Sequence, residues 1–143
     1  EIPLRLVGSE MCIRDRHEDN LRPKMNAGPV IKTNAKQRYA STAATTFLLR
    51  RIAQLAGVPL QEFEVRNDCP CGSTIGPMLS KVRTRPVHHP LTRILRTVDA
   101  GNPQLSMHSI RETCGTHDID YKIRLFREFF RSFSRVDREL TID

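Results

Sequence analysis

Strand-like and helix-like segments alternate along this chain from about residue 28 to its end, which predicts an α/β layer fold rather than a bundle or a barrel. Three observations carry that expectation. Short apolar or alternating runs at Pro29–Lys32 and Glu62–Arg66 have the period of strands. Two segments, one opening near Ser41 and one at Asp118, repeat apolar residues every three or four positions, as amphipathic helices do. Stretches rich in Gly, Pro, Asn and Asp punctuate them.

The first sixteen residues, EIPLRLVGSEMCIRDR, stand apart. They do not begin with methionine, hold no sustained period, and look like translated adaptor or vector sequence, so residues 1–16 are expected to be a non-native leader and 17–143 the protein proper. Pro29–Lys32 is then a first strand. A helix follows with Ser41 or Thr42 as N-cap, Ala44, Phe47, Leu48, Ile52 and Leu55 on its buried face, and Gly57 as its C-cap glycine. Glu62–Arg66 is a second strand, running into a loop that opens at Asn67 and Asp68. Another helix is expected from Thr74 towards Lys81, and a strand at Thr97–Asp99. The last helix has Asp118 as its cap and Ile119, Ile123, Phe126, Phe130 and Phe133 as its buried stripe, widened by Leu125 and Phe129. No internal repeat is visible.

Composition narrows the class. At 143 residues, 38% hydrophobic and 27% charged, the chain has the balance of one globular domain, not of a disordered segment. No apolar run is long enough to span a bilayer and no secretory signal pattern opens the sequence, which points to the cytoplasm and to no membrane partner. The formal charge of +7 is concentrated in Lys81–Arg96, where Lys81, Arg83, Arg85, Arg93 and Arg96 have no acidic neighbour. No nucleic-acid motif or interleaved aromatic accompanies them, so a solvated loop is the better account, with a patch for phosphate-rich partners as the alternative. Cys69 and Cys71 are too closely spaced for the usual zinc pair, and Cys12 and Cys114 supply no second pair. All four are expected to be reduced thiols with packing roles.

Three longer motifs carry more. They are HEDNLRPKMNAGPVIKTNAKQRYAS from His17 to Ser41, VRNDCPCGSTIGP from Val65 to Pro77, and GNPQLSMHSIRE from Gly101 to Glu112, which places His108 at the end of a strand-like segment. In this order they resemble the C-terminal part of the aspartyl aminopeptidase family, two-zinc peptidases that remove acidic residues from peptide N-termini. The resemblance covers His17–Asp143 apart from a basic insert at residues 82–94, which reads either as a surface loop or as a gene-model error such as a retained intron.

The resemblance implies the C-terminal part of a three-layer α/β/α zinc-peptidase catalytic domain. It implies that His108 is a metal ligand, with Gln104, Ser106, Ser109 and Glu112 near enough in sequence to support it. Lys32 and Tyr39 match positions that contact substrate: the lysine would pair with the side-chain carboxylate of an N-terminal Asp or Glu, and the tyrosine would donate to a carbonyl or developing oxyanion. Two zinc ions, peptide substrates with N-terminal Asp or Glu, and a homo-oligomer when intact are also implied. The family's other ligands and its general base, a Glu, are expected upstream of His17, so residues 17–143 carry no catalytic acid or base. His17, His88, His89 and His117 are expected to face solvent or serve structure. Two alternatives stay beside this: a non-catalytic fragment that associates with full-length subunits, and a basic nucleic-acid-binding module built on the insert.

Overall fold

A computed structural model describes residues 6–7, 23–33, 41–64, 83–84, 93–94, 96–106 and 109–139. The expected helix from Thr74 to Lys81, the loop before it, Tyr39 and His108 lie outside the described residues. Strands β1 (Leu6–Val7), β2 (Val30–Thr33), β3 (Gln61–Glu64), β4 (Arg83–Thr84), β5 (Arg93–Ile94), β6 (Ala100–Gly101), β7 (Gln104–Leu105) and β8 (Thr113–Cys114) accompany two helices, α1 (Ala43–Ala56) and α2 (Thr116–Glu139).

The centre is a mixed sheet in the order β3-β2-β6. β2 and β3 run parallel, with Ile31 opposite Glu62 and Lys32 opposite Phe63, and α1 makes the crossover between them, as a parallel pair requires. β6 joins the other edge of β2 antiparallel, pairing Val30 with Gly101 and Ile31 with Ala100. The strand expected at Thr97–Asp99 is thus displaced: the ladder forms directly after it, at Ala100–Gly101. Asp99 still takes part, because its carbonyl accepts the Lys32 N–H at 2.9 Å.

α1 begins where the sequence places it. Thr42 is the N-cap, and it exchanges hydrogen bonds with Thr45: Thr45 N–H donates to Thr42 Oγ1 at 3.3 Å, and Thr42 N–H donates to Thr45 Oγ1 at 2.8 Å. Gly57, at φ 61°, ends the helix in the left-handed region. The buried face, however, is not the expected one. Thr45, Leu48, Leu49, Ile52 and Ala53 are buried, whereas Phe47 is 55% and Leu55 40% exposed. At 100° per residue this rotates the contact face by roughly a quarter turn from the predicted stripe. The rotation lets Leu48, Leu49, Ile52 and Ala53 share one core with Ile31 of β2 and with Leu125 and Val136 of α2.

α2 is corrected in the same sense. Leu125, Ser132 and Val136 are buried, and Tyr121, Phe129 and Phe133 pack against the core from its margin. Ile119 (47%), Ile123 (61%), Phe126 (49%) and Phe130 (81%) of the predicted buried stripe are exposed. The helix is apolar over about half its circumference, and α1 and the sheet cover only one flank of that arc.

Polar anchors fix the helix pair. Arg124 Nη2 donates to the carbonyls of Ala56 and Gly57, each at 3.0 Å, satisfying free acceptors at the end of α1. Its guanidinium lies 5.9 Å from the centre of the Tyr121 ring. Arg96, just ahead of β6, pairs with Asp137 near the end of α2, 2.5 Å between Nη1 and Oδ1.

Two small ladders complete the description. β7 pairs antiparallel with β8 on one edge and with β1 on the other. The leader set aside on sequence grounds therefore contributes a two-residue rung, Leu6 opposite Leu105 and Val7 opposite Gln104. An open strand edge offers backbone donors and acceptors that any extended segment can use, whatever its side chains. Within the basic insert, β4 and β5 pair Arg83 with Ile94 and Thr84 with Arg93, so a hairpin ladder closes a segment whose prolines suggested no regular structure.

Candidate functional site

The segment entering β2 is held from a distance. Asp118, fully buried, lies in the first turn of α2, and its carboxylate accepts Asn26 N–H at 2.7 Å and Gly28 N–H at 2.9 Å. Asn26 answers with its side chain: Oδ1 accepts the N–H of His117 at 3.1 Å. Asp118 was expected to cap α2 itself. Instead the first-turn donor is satisfied by Asn26, 91 residues earlier in the chain, and Asp118 spends its two oxygens on the incoming strand. The charge still suits a helix N-terminus. Asn102, next after β6, donates from Nδ2 to the Asp118 carbonyl at 3.1 Å. One turn of helix thus ties the start of β2 to the end of β6.

This clasp needs an unusual backbone. Asn26 has φ 61° and Gly28 φ 102°, and a Cβ at Gly28 would stand 2.1 Å from the Pro59 carbonyl oxygen, so the position tolerates only glycine. Gln61 closes the other side, donating from Nε2 to the carbonyls of Lys24 and Gly28, each at 2.8 Å, and accepting Lys24 N–H at 2.7 Å.

β2 carries the result of this anchoring. Side chains alternate along a strand, so Ile31, with no exposed surface, enters the core beside the helices while Lys32 stands on the opposite face with its register partner Phe63, itself buried. The Lys32 side chain keeps only 18% of its surface, and its Nζ lies 3.8 Å from Asp99 Oδ1. The backbone of Asp99 is pinned on both sides: its N–H donates to Ser41 Oγ at 2.8 Å, and its carbonyl accepts Lys32 N–H at 2.9 Å. Ser41 is buried directly before the cap of α1. The arrangement holds a mostly covered lysine side chain near the carboxyl end of a parallel strand, the usual position of a binding site in an open α/β sheet.

Of the residues the sequence singled out, Lys32 is thus placed, while Tyr39 and His108 are outside the described residues. The flanks of His108 are ordered by backbone bonds. Ser106, at φ 53°, accepts Ser109 N–H at 3.0 Å, and Ser109 Oγ accepts Arg111 N–H at 3.1 Å. Among the described residues, no group of three or more His, Cys, Asp or Glu side chains is close enough to hold a metal ion. Cys114 is a free, half-buried thiol. The sequence reading missed Asp99. Its signal was an acid closing a strand-like run, which has meaning only once that run lies beside β2.

Comparison with known proteins supplies the family. The model of the aminopeptidase I zinc metalloprotease family (M18) matches residues 13–130. The chain is 49% identical over 129 residues to a probable aspartyl aminopeptidase of Ricinus communis, covering 90% of this chain and 24% of that protein. With the aspartyl aminopeptidase of Dictyostelium discoideum it shares 52% over 121 residues, covering 85% and 23%. Among solved structures it superposes on the Ape4 and Nbr1 complex, determined by cryo-electron microscopy, with a TM-score of 0.74 and 46% identity over 92% of this chain and 23% of that one. On the mApe1 dodecamer of S. cerevisiae the TM-score is 0.66, with 28% identity over 85% of this chain and 24% of that one. The chain therefore spans about a quarter of the length of the relatives it matches. An α/β segment with this sequence and this geometry belongs to the M18 family of zinc metallo-aminopeptidases.

Proposed function

We propose that a family-length chain carrying residues 17–143 is a cytoplasmic, homo-oligomeric aminopeptidase that uses two zinc ions to remove N-terminal Asp or Glu from peptides. In this reading His108 is one of the zinc ligands, Lys32 binds the acidic side chain of the substrate and Tyr39 steadies its carbonyl. The names of the relatives support the substrate class. The observation that carries it is the Lys32 side chain, mostly covered and standing near the carboxyl end of β2. A lysine there makes a charge-assisted bond to an incoming carboxylate and offers a neutral side chain nothing.

The test is the ratio of kcat/KM for an Asp-peptide over an Ala-peptide. Lys32→Ala in a family-length chain should lower that ratio at least about tenfold, since an ion pair made by only one substrate is lost. An equal fall for both substrates would sink the assignment of Lys32 to acidic specificity. His108→Ala in the same chain should remove hydrolysis of both peptides and reduce the zinc content.

A second reading is favoured by one observation, the exposed row of Ile119, Ile123, Phe126 and Phe130 on α2. Such a row suits a chain that docks onto full-length subunits. Co-purification of the 143-residue chain with an intact M18 enzyme, abolished by Phe126→Ser together with Phe130→Ser, would support it.

A further inference from the structure

The Lys32–Asp99 pair contains more than an electrostatic contact. At 3.8 Å, Nζ and Oδ1 stand beyond the 2.7–2.9 Å typical of a charge-assisted hydrogen bond, so the carboxylate balances the ammonium without binding it tightly. Both side chains are mostly covered, 18% and 25% exposed, so the two charges are screened by solvent far less than a surface pair. Asp99 is also held in place independently of its carboxylate, by Ser41 Oγ on its N–H and by Lys32 N–H on its carbonyl. The carboxylate is thus carried by a backbone held directly ahead of β6.

We propose that Asp99 is a specificity-setting residue that acts through Lys32 as an internal stand-in for the substrate carboxylate. The proposal rests on Lys32 being the acidic-side-chain site. When a peptide with a neutral N-terminal residue is bound, Asp99 keeps the covered ammonium paired. When an acidic residue is bound, its carboxylate meets Lys32 in competition with Asp99 and under repulsion from it. Asp99 therefore lowers the penalty for neutral substrates and weakens the gain for acidic ones, and it tempers a selectivity that Lys32 creates. Removing the charge should sharpen the selectivity. This sign is opposite to that expected for a residue that merely supports the strand, whose loss would damage both substrates alike.

The experiment uses a family-length chain ending in residues 17–143 and reads kcat/KM for Asp-peptide and Ala-peptide in four forms: unaltered, Lys32→Ala, Asp99→Asn and the double variant. Asp99→Asn keeps the shape and every backbone bond. It should raise the Asp-over-Ala ratio by about three- to tenfold, chiefly through a lower KM for the Asp-peptide and a higher KM for the Ala-peptide. The double variant should match Lys32→Ala, because a residue that works only through its partner has no effect once the partner is gone. Salt should shrink the Asp99→Asn effect only slightly, since the pair is mostly covered.

If Lys32→Ala leaves the ratio unchanged, the acidic-site reading itself fails. If Lys32→Ala lowers the ratio while Asp99→Asn leaves it unchanged or lowers it, that reading stands and the role given to Asp99 is overturned. Asp99→Ser, which also removes the charge, guards against a folding defect peculiar to asparagine. Loss of the cooperative thermal transition in both variants would assign Asp99 a structural role and equally overturn the proposal.

Discussion

Ile31 and Lys32 are neighbours on β2, yet they belong to different regions of the molecule. On the helix side of the sheet, Ile31 shares a hydrophobic core with Leu48, Ile52 and Leu125. On the other side, Lys32 stands with Asp99 and the buried Phe63. One face is filled for packing and the other holds a charge in place. The clasp of Asp118 serves both, because the segment it grips leads directly into β2. Stability and specificity are therefore expected to separate residue by residue along one strand, and substitutions on the two faces can break or sharpen that division.

The largest effect on stability should come from the clasp. Asp118→Ala leaves the buried Gly28 N–H and the part-buried Asn26 N–H without their acceptor, at about 1–3 kcal/mol for the buried donor and less for the other, and frees the start of β2 from α2. Chemical denaturation should show a lower midpoint, and a variant as stable as the parent would remove the clasp from the account. Ile31→Ala should follow closely, at about 2–5 kcal/mol, through lost burial and a cavity in the helix-side core. Lys32→Ala should cost less than about 1 kcal/mol in the same measurement, because its 3.8 Å pair with Asp99 is too long for a strong charge-assisted hydrogen bond. If Lys32→Ala destabilised as much as Ile31→Ala, the two faces would not divide labour as described. Smallest of all, Phe130→Ser should change stability by about 0.5 kcal/mol or less, since its ring is 81% exposed. It should still reduce self-association of the chain in sedimentation, because it removes the most exposed ring of the α2 row.

The two helices show how far periodicity reaches. In α1 the sequence locates the start to Ser41 or Thr42 and the end to Gly57, because capping depends on local backbone geometry and on side chains within a few residues. It does not locate the buried face, since Phe47 and Leu55 satisfy the period as well as Leu49 and Ala53 do, and only the positions of β2 and α2 choose between them. In α2 the same ambiguity is wider. A helix apolar over half its surface has several candidate faces: of the expected residues Leu125, Phe129 and Phe133 reach the core, while Ile119, Ile123, Phe126 and Phe130 remain exposed.

The sequence by itself determined the α/β class, the strand–helix–strand order of β2, α1 and β3, the caps of α1 and, through three motifs, the family. Those features rest on local chemistry or on residues adjacent in the chain. Only the tertiary structure decided that Asn26 and Asp118 satisfy each other's segments, that Arg124 caps α1, that β6 begins at Ala100, and that Asp99 faces Lys32. Each of these joins residues dozens of positions apart. Their partners are selected by which donors, acceptors and charges remain unsatisfied once the strands and helices have packed, and no local pattern in the sequence records that remainder.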